Sequence, residues 1–212
     1  CSAHCSAVIM RKICLYQTVV FTGNSLECTI WIYMLSKRFL LALSLACCLM
    51  PAFSQSQPNV TLVPKQISTS VWYVEGVTAL GSVENKNFIS NAAFIIGPDG
   101  VVVIDALGSP ALADVLIQAI RKITTKKIEA VIVTHYHADH IYGLQSFRKI
   151  GVKIFAHHAA KEYLNSDTAT QRLMASRAEL APWVDANTKL IEPDTWLSGE
   201  TKLKLSGIEL LV

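Results

Sequence analysis

An α/β fold is predicted by three features of the sequence. Strand-like and helix-like segments alternate from residue 101 to 156. The strand-like segments "VVVIDA", "IEAVIVT" and "VKIFA" are dominated by consecutive apolar residues, the pattern of strands covered on both faces. The segments between them repeat apolar residues at three-and-four spacing, the period of a helix packed along one face. Together these predict a sheet whose central strands are parallel and carry helical cover.

Taken in chain order, residues 55–66 are polar with two prolines and read as a linker or extended arm. "STSVWYVEGV" alternates loosely and is rich in β-formers, so it reads as a strand. "NAAFIIG" and "VVVIDA" flank Gly97-Pro98-Asp99-Gly100, a turn in which Pro98 sets φ and Gly100 is free to take a positive one, so the pair predicts a hairpin. Ser109-Pro110 opens a helix with Leu112, Val115, Leu116, Ala119, Ile120 and Ile123 on one face. "IEAVIVT" predicts a buried strand over Ile128–Thr134. Ile141, Leu144, Phe147 and Ile150 predict one helix that stops at Gly151. "VKIFA" is a further strand, and residues 158–181 are helical in composition, with Leu164, Leu173, Met174 and Leu180 as core candidates. No element is predicted for Trp183 to Ile191. "TKLKLSGIELLV" predicts a hairpin turning at Ser206-Gly207.

The first 54 residues differ in kind from the rest. All six cysteines precede residue 50, and four basic side chains against one acidic give this segment the chain's whole net charge of +3. Residues 55–212 are electrically balanced, so there is no basic patch for nucleic acid, and none is predicted as a partner. From Met34, Lys37-Arg38 is followed by an apolar run, Phe39 to Met50, then Pro51, then small residues at Ala52 and Ser54. These are the three parts of a secretory signal peptide over residues 34–54. The run is shorter than the roughly 20 residues that span a bilayer, so no stable membrane anchor is expected after cleavage. Residues 1–33 show no sustained periodicity and read as upstream translated or unstructured sequence. The expected location is periplasmic or secreted, which suits a mature chain without cysteine.

"THYHADHIYGL" places His135, His137, Asp139 and His140 where a buried strand ends. A single histidine in such a place is ordinarily a hydrogen-bonded core residue. Three in six positions, with an aspartate, are hard to explain as packing. If the strand runs into His135, side chains two apart share a side, so His135 and His137 can face one metal ion. Asp139 and His140 follow as the chain turns into a helix, displaced by several ångströms, and form a second half-site. Nitrogen donors with one carboxylate suit zinc, though iron and manganese tolerate them. Two ions about 3.5–4 Å apart can hold a hydroxide between them, and zinc lowers the pKa of bound water to roughly 7. The predicted chemistry is attack of that hydroxide on a carbonyl or phosphoryl centre, with Asp139 both ligand and catalytic orienting group.

His135-Tyr136-His137-Ala138-Asp139-His140 resembles the H-x-H-x-D-H motif of the metallo-β-lactamase superfamily, and "NAAFIIGPDGVVVIDA" is similar to that superfamily's early hairpin. The likeness covers about residues 67–212. It implies an αββα sandwich with two zinc ions at one edge, His135 and His137 on the first, Asp139 and His140 on the second. It also implies that Asp105, at the end of its strand, is a second-shell aspartate orienting a metal-binding histidine. Asp105 read by itself is equally a turn or helix-entry carboxylate.

The resemblance implies further ligands, including a third histidine on the first metal, which would fall beyond Val212. After the motif come only His157 and His158, at a place similar to a non-ligand position. A last strand running into Val212 without a turn or polar tail predicts a sandwich truncated after its first half. The function expected is that of a zinc-dependent hydrolase acting on a small-molecule carbonyl compound, of which a β-lactam is the natural case for an exported protein. A thioester hydrolase of glyoxalase II type, an iron-dependent oxidative relative and an inactive fragment are the alternatives. Trp72, Tyr73, Tyr136 and Tyr142 are expected in packing rather than in a pocket.

Overall fold

The computed structural model describes residues 60–212. The segments read as upstream sequence (1–33) and signal peptide (34–54), and the start of the linker, lie outside the described residues. Nine strands are described: β1 (Lys65–Gln66), β2 (Val71–Val74), β3 (Ala92–Ile96), β4 (Val101–Ile104), β5 (Ile128–Ile132), β6 (Lys153–His157), β7 (Thr195–Leu197), β8 (Lys202–Leu205) and β9 (Ile208–Leu211). Five helices lie between them: α1 (Pro110–Ile123), α2 (Ala138–Ile141), α3 (Leu144–Lys149), α4 (Ala160–Leu164) and α5 (Asp167–Glu179). Strands β1 to β7 form one sheet in sequence order, antiparallel as far as β4 and parallel from β4 to β7. β8 and β9 form a separate antiparallel pair. Among the described residues no helix is long and apolar enough to cross a membrane.

The continuous apolar runs are explained by what covers the two faces. Alternate residues of a strand point to opposite faces. Val101, Val103, Val131 and Ile154 join one buried cluster with Leu112, Leu116, Ile120 and Phe147 of the helices. Val102, Ala130, Ile132, Phe155 and Leu197 form a second cluster, against which Leu203, Leu205, Ile208 and Leu210 of the β8–β9 hairpin pack. The layers are therefore helix, seven-stranded sheet, two-stranded sheet. The hairpin's turn is held to the far end of the large sheet. Ser206 donates through its backbone N and its Oγ to Glu129 Oε2, both at 2.7 Å, and its carbonyl accepts from Asp99 N.

Helix α1 begins where the sequence places it: Ser109 Oγ accepts from Leu112 N at 3.2 Å, and Pro110 occupies the first turn, where no partner for its nitrogen is needed.

Of the linker or extended arm read over 55–66, the described part is an extended arm, with Leu62 buried in the main cluster and Lys65–Gln66 paired to β2. Four expectations are corrected. The strand expected over Ile128–Thr134 ends at Ile132. The single helix expected from Ile141 to Ile150 is two helices broken at Tyr142-Gly143, and Ile150 is exposed. Met174 is 61% exposed and not a core residue, because α5 covers the core with Ala169, Leu173 and Ser176 instead. Strand β7 was not predicted. It has three residues, too few for a period to register, and tertiary bonds define it: Asp194 N donates to Ile154 O, Ile154 N donates to Asp194 Oδ2, and Arg148 pairs with the same carboxylate.

The break at Gly143 follows from close approach. A Cβ there would lie 1.9 Å from Ala106 O and 2.7 Å from Ala113 Cβ. Gly151 is the opposite case, with φ +75° and nothing within 4 Å of an added Cβ. Overlap with backbone costs more than a left-handed residue, which costs roughly 1–2 kcal/mol. Gly151→Ala should therefore lower unfolding stability by about 1 kcal/mol and Gly143→Ala by about 3 kcal/mol, read from denaturant midpoints. Equal losses would contradict the close-approach account.

Candidate metal centre

The centre is built where two chain segments leave the sheet side by side. β4 ends at Ile104, and the next residues turn sharply: Asp105 and Leu107 take φ of +64° and +65°. A buried leucine in the left-handed region is strained, and such strain persists only where its surroundings impose it. Here the second segment imposes it. Asp105 N donates to Ile132 O, Ala106 N to His140 O at 2.9 Å, and Gly143 N to Leu107 O at 3.1 Å. Past β5, the chain runs through Thr134 and His135 to His137, which caps the one-turn helix α2.

Asp105 is buried and takes three hydrogen bonds. Its Oδ1 accepts from Thr134 N at 2.8 Å. Its Oδ2 accepts from Thr134 Oγ1 at 2.7 Å and pairs with His140 Nδ1 at 2.8 Å. On the other side of the same imidazole, Nε2 lies 3.3 Å from Asp139 Oδ2. Thr134 Oγ1 also lies 3.0 Å from His135 Nδ1. The His135 and His137 rings meet edge-on with centroids 4.6 Å apart, and those of His135 and His140 are 4.1 Å apart.

All five predicted site residues are thus brought to one place, with two corrections to how. His135 and His137 do not share the side of a strand, since the strand has ended; the turn into α2 brings them together. His140 is not set apart from the first pair, because its ring lies 4.1 Å from that of His135, closer than the 4.6 Å of His137. His157 and His158 pair with each other at the end of β6, and His158 Nδ1 lies 3.2 Å from Leu197 O. Tyr136 and Tyr142 are buried and Trp72 stacks on Phe94, as packing predicts. Thr134 and Ser90 escaped the sequence reading. Thr134 stands next to the motif, whereas Ser90, whose hydroxyl donates to Asp139 O, lies 49 residues upstream and carries no local signal.

A polar cavity of about 380 Å³ opens beside this group, lined by Glu75, Ser90, Asn91, Asp105, Asp139 and His140 among others. Among the described residues, no group of three or more His, Cys, Asp or Glu side chains is arranged to hold one ion. One pair of donors, His140 and Asp139, has the spacing of two zinc ligands. Donors about 2.0–2.1 Å from a tetrahedral zinc lie about 3.3 Å from one another, the separation between His140 Nε2 and Asp139 Oδ2. A carboxylate on the far nitrogen of a histidine, as Asp105 is on His140, is the usual support of a metal-binding imidazole.

A family model of the metallo-β-lactamase superfamily matches residues 86–210, more than half of the chain. The chain belongs to the metallo-β-lactamase superfamily. It is 31% identical over 100 residues to a type 2 metallo-β-lactamase of Bacillus cereus, a match covering 47% of this chain and 37% of that one. It is 26% identical over 130 residues to the type 2 enzyme of Elizabethkingia meningoseptica, covering 61% and 50%. A linear primary-alkylsulfatase of Pseudomonas sp. is 36% identical over 53 residues, 25% of this chain and 10% of that one. Among solved structures, the metallo-β-lactamase IND-7 is similar with a TM-score of 0.49 at 18% identity, over 70% of this chain and 57% of that one. The metallo-β-lactamase from Pontibacter korlensis gives 0.48 at 17% identity, over 71% and 59%. The chain spans half or less of the length of the curated relatives it matches.

The electrostatics of the centre follow from the two carboxylates flanking His140. Burial alone disfavours its charged form and is the largest single influence. The hydrogen bonds to Asp105 and Asp139 together outweigh it and raise its pKa to about 9. The same contact with His140 holds Asp139 below the ordinary carboxylate value. His135 is lowered, first by burial and then by its histidine neighbours. In metal-free protein, the charged His140 should therefore stabilise the fold in full below the ordinary imidazole value of about 6.5, and that contribution should disappear as pH rises to about 9. The stability difference between the wild type and His140→Gln, followed from pH 6 to 10, should shrink across that window; a constant difference would contradict the pairing.

Proposed function

We propose that His135, His137, Asp139 and His140 are ligands of a zinc hydrolase centre whose substrate is a small carbonyl compound, with a β-lactam the first candidate. The observation that carries this reading is the line Asp105–His140–Asp139, in which one imidazole has a buried carboxylate on one nitrogen and a second donor at zinc-edge distance from the other. Membership of the superfamily and the likeness to two type 2 metallo-β-lactamases support it. So does the signal-peptide pattern at Met34–Ser54, because an exported hydrolase meets β-lactams where they act.

In this reading His135 and His137 hold one ion, and Asp139 and His140 the other. Zinc, when bound, supplies a Lewis acid and makes water a nucleophile near neutral pH. Asp139 orients the attacking water, Asp105 keeps His140 in one orientation, and the polar cavity beside them receives the substrate. A proton on His140 would compete with an ion for that ring, so zinc affinity would rise with pH. The likeness to an alkylsulfatase favours a second reading, hydrolysis of a sulfate ester by the same centre.

The test uses the protein of the full reading frame, assayed with nitrocefin, a thioester and a linear alkyl sulfate, with its metal content measured after purification. We expect nitrocefin turnover that is lost on chelation and restored by zinc. Asp139→Asn should reduce it by about 100-fold or more, since even outer-shell partners are worth 10–100-fold. Turnover of the sulfate ester alone selects the second reading, and restoration by iron but not zinc overturns the metal assignment. Among the described residues the centre offers two donors per ion where a catalytic zinc takes three, so residues 60–212 by themselves should bind zinc weakly and hydrolyse none of the three substrates.

A further inference from the structure

The hydrogen bonds around Thr134 lead one step further than the ligands. A carboxylate only accepts hydrogen bonds, and a hydroxyl has one proton to give. Thr134 Oγ1 is 2.7 Å from Asp105 Oδ2 and 3.0 Å from His135 Nδ1. Its proton goes to the carboxylate, so the hydroxyl oxygen meets His135 as an acceptor, and Nδ1 must be the protonated nitrogen of that ring. His140 Nδ1 donates to the same Oδ2. The backbone of Thr134 adds a third anchor, its N–H on Oδ1, which fixes the threonine against the buried carboxylate independently of the hydroxyl.

We propose that the Thr134 hydroxyl is a positioning group that relays Asp105 to His135, so that a single carboxylate sets the tautomer of one imidazole in each half of the centre. His140 is held directly and His135 through the hydroxyl. In its neutral form each ring then has Nε2 as the nitrogen with a free lone pair, which is the state a metal requires of an imidazole. The inference rests on the metal-centre reading for its use, but its geometry is a property of the metal-free chain. Removing the hydroxyl should uncouple His135 while leaving His140 in place, because His140 and the Thr134 backbone hold Asp105 without it.

The test is the nitrogen NMR spectrum of the histidine rings in metal-free protein, at a pH where His135 is neutral, for wild type, Thr134→Val and Thr134→Ser. We expect the wild-type His135 ring in the Nδ1–H form. Thr134→Val should move it toward the Nε2–H form, with the His140 signals unchanged, and Thr134→Ser should restore the wild-type pattern. Zinc affinity of the full-reading-frame protein should fall about 10–100-fold in Thr134→Val and recover in Thr134→Ser. A wild-type His135 found in the Nε2–H form overturns the proposal without any variant being needed. So does a Thr134→Val ring that keeps the wild-type tautomer. If the tautomer shifts as expected but no variant or wild type binds zinc, the relay stands and the metal-centre reading fails.

Discussion

The buried carboxylate of Asp105 is the interaction on which the centre depends. It is the meeting point of two segments that leave the sheet from neighbouring parallel strands, β4 and β5. A carboxylate inside a protein is costly unless its oxygens are satisfied. Here three donors satisfy them, two from Thr134 and one from His140. The cost of burial is offset by contacts that also orient the histidines, so the group that must be stabilised is the group that does the orienting.

The sheet makes this possible by being covered on both faces. With helices against one face and the β8–β9 hairpin against the other, strands β4 and β5 are fixed in register, and so are the points where they end. The strained turn at Asp105–Leu107 is held by hydrogen bonds to the chain around α2, and Gly143 leaves room for that chain to come within contact of Ala106 O. Strain at one segment and absence of a side chain at the other are two halves of one fit. Ser90 ties a third segment to the same place through the Asp139 carbonyl.

The polar cavity gives this arrangement its functional direction. It brings solvent to Asp139 and His140, while Asp105 stays buried behind them. The raised pKa of His140 is a consequence of the same two carboxylates, whose hydrogen bonds outweigh the effect of burial on the ring.

Much of the fold was legible because period and turn chemistry are local. Continuous apolar runs identified β3, β4, β5 and β6, Ser109-Pro110 identified the start of α1, and Ser206-Gly207 identified the last hairpin. The candidate site was legible for the same reason: His135, His137, Asp139 and His140 lie within six residues, in a spacing that resembles the superfamily's motif. What the sequence could not determine was anything fixed by contacts distant along the chain. β7 is held by β6 and Arg148, Met174 faces solvent because α5 buries Ala169, Leu173 and Ser176 instead, and within the stretch expected as one helix from Ile141 to Ile150 a side chain at residue 143 would collide with Ala106. Likewise, the tertiary structure alone decided that His140 returns to within 4.1 Å of His135, and that Asp105, some thirty residues earlier, meets Thr134 and His140 through the same carboxylate. Residue type carries the chemistry of a group, but the distances at which that chemistry operates come from the packing of strands and turns that are not neighbours in the chain.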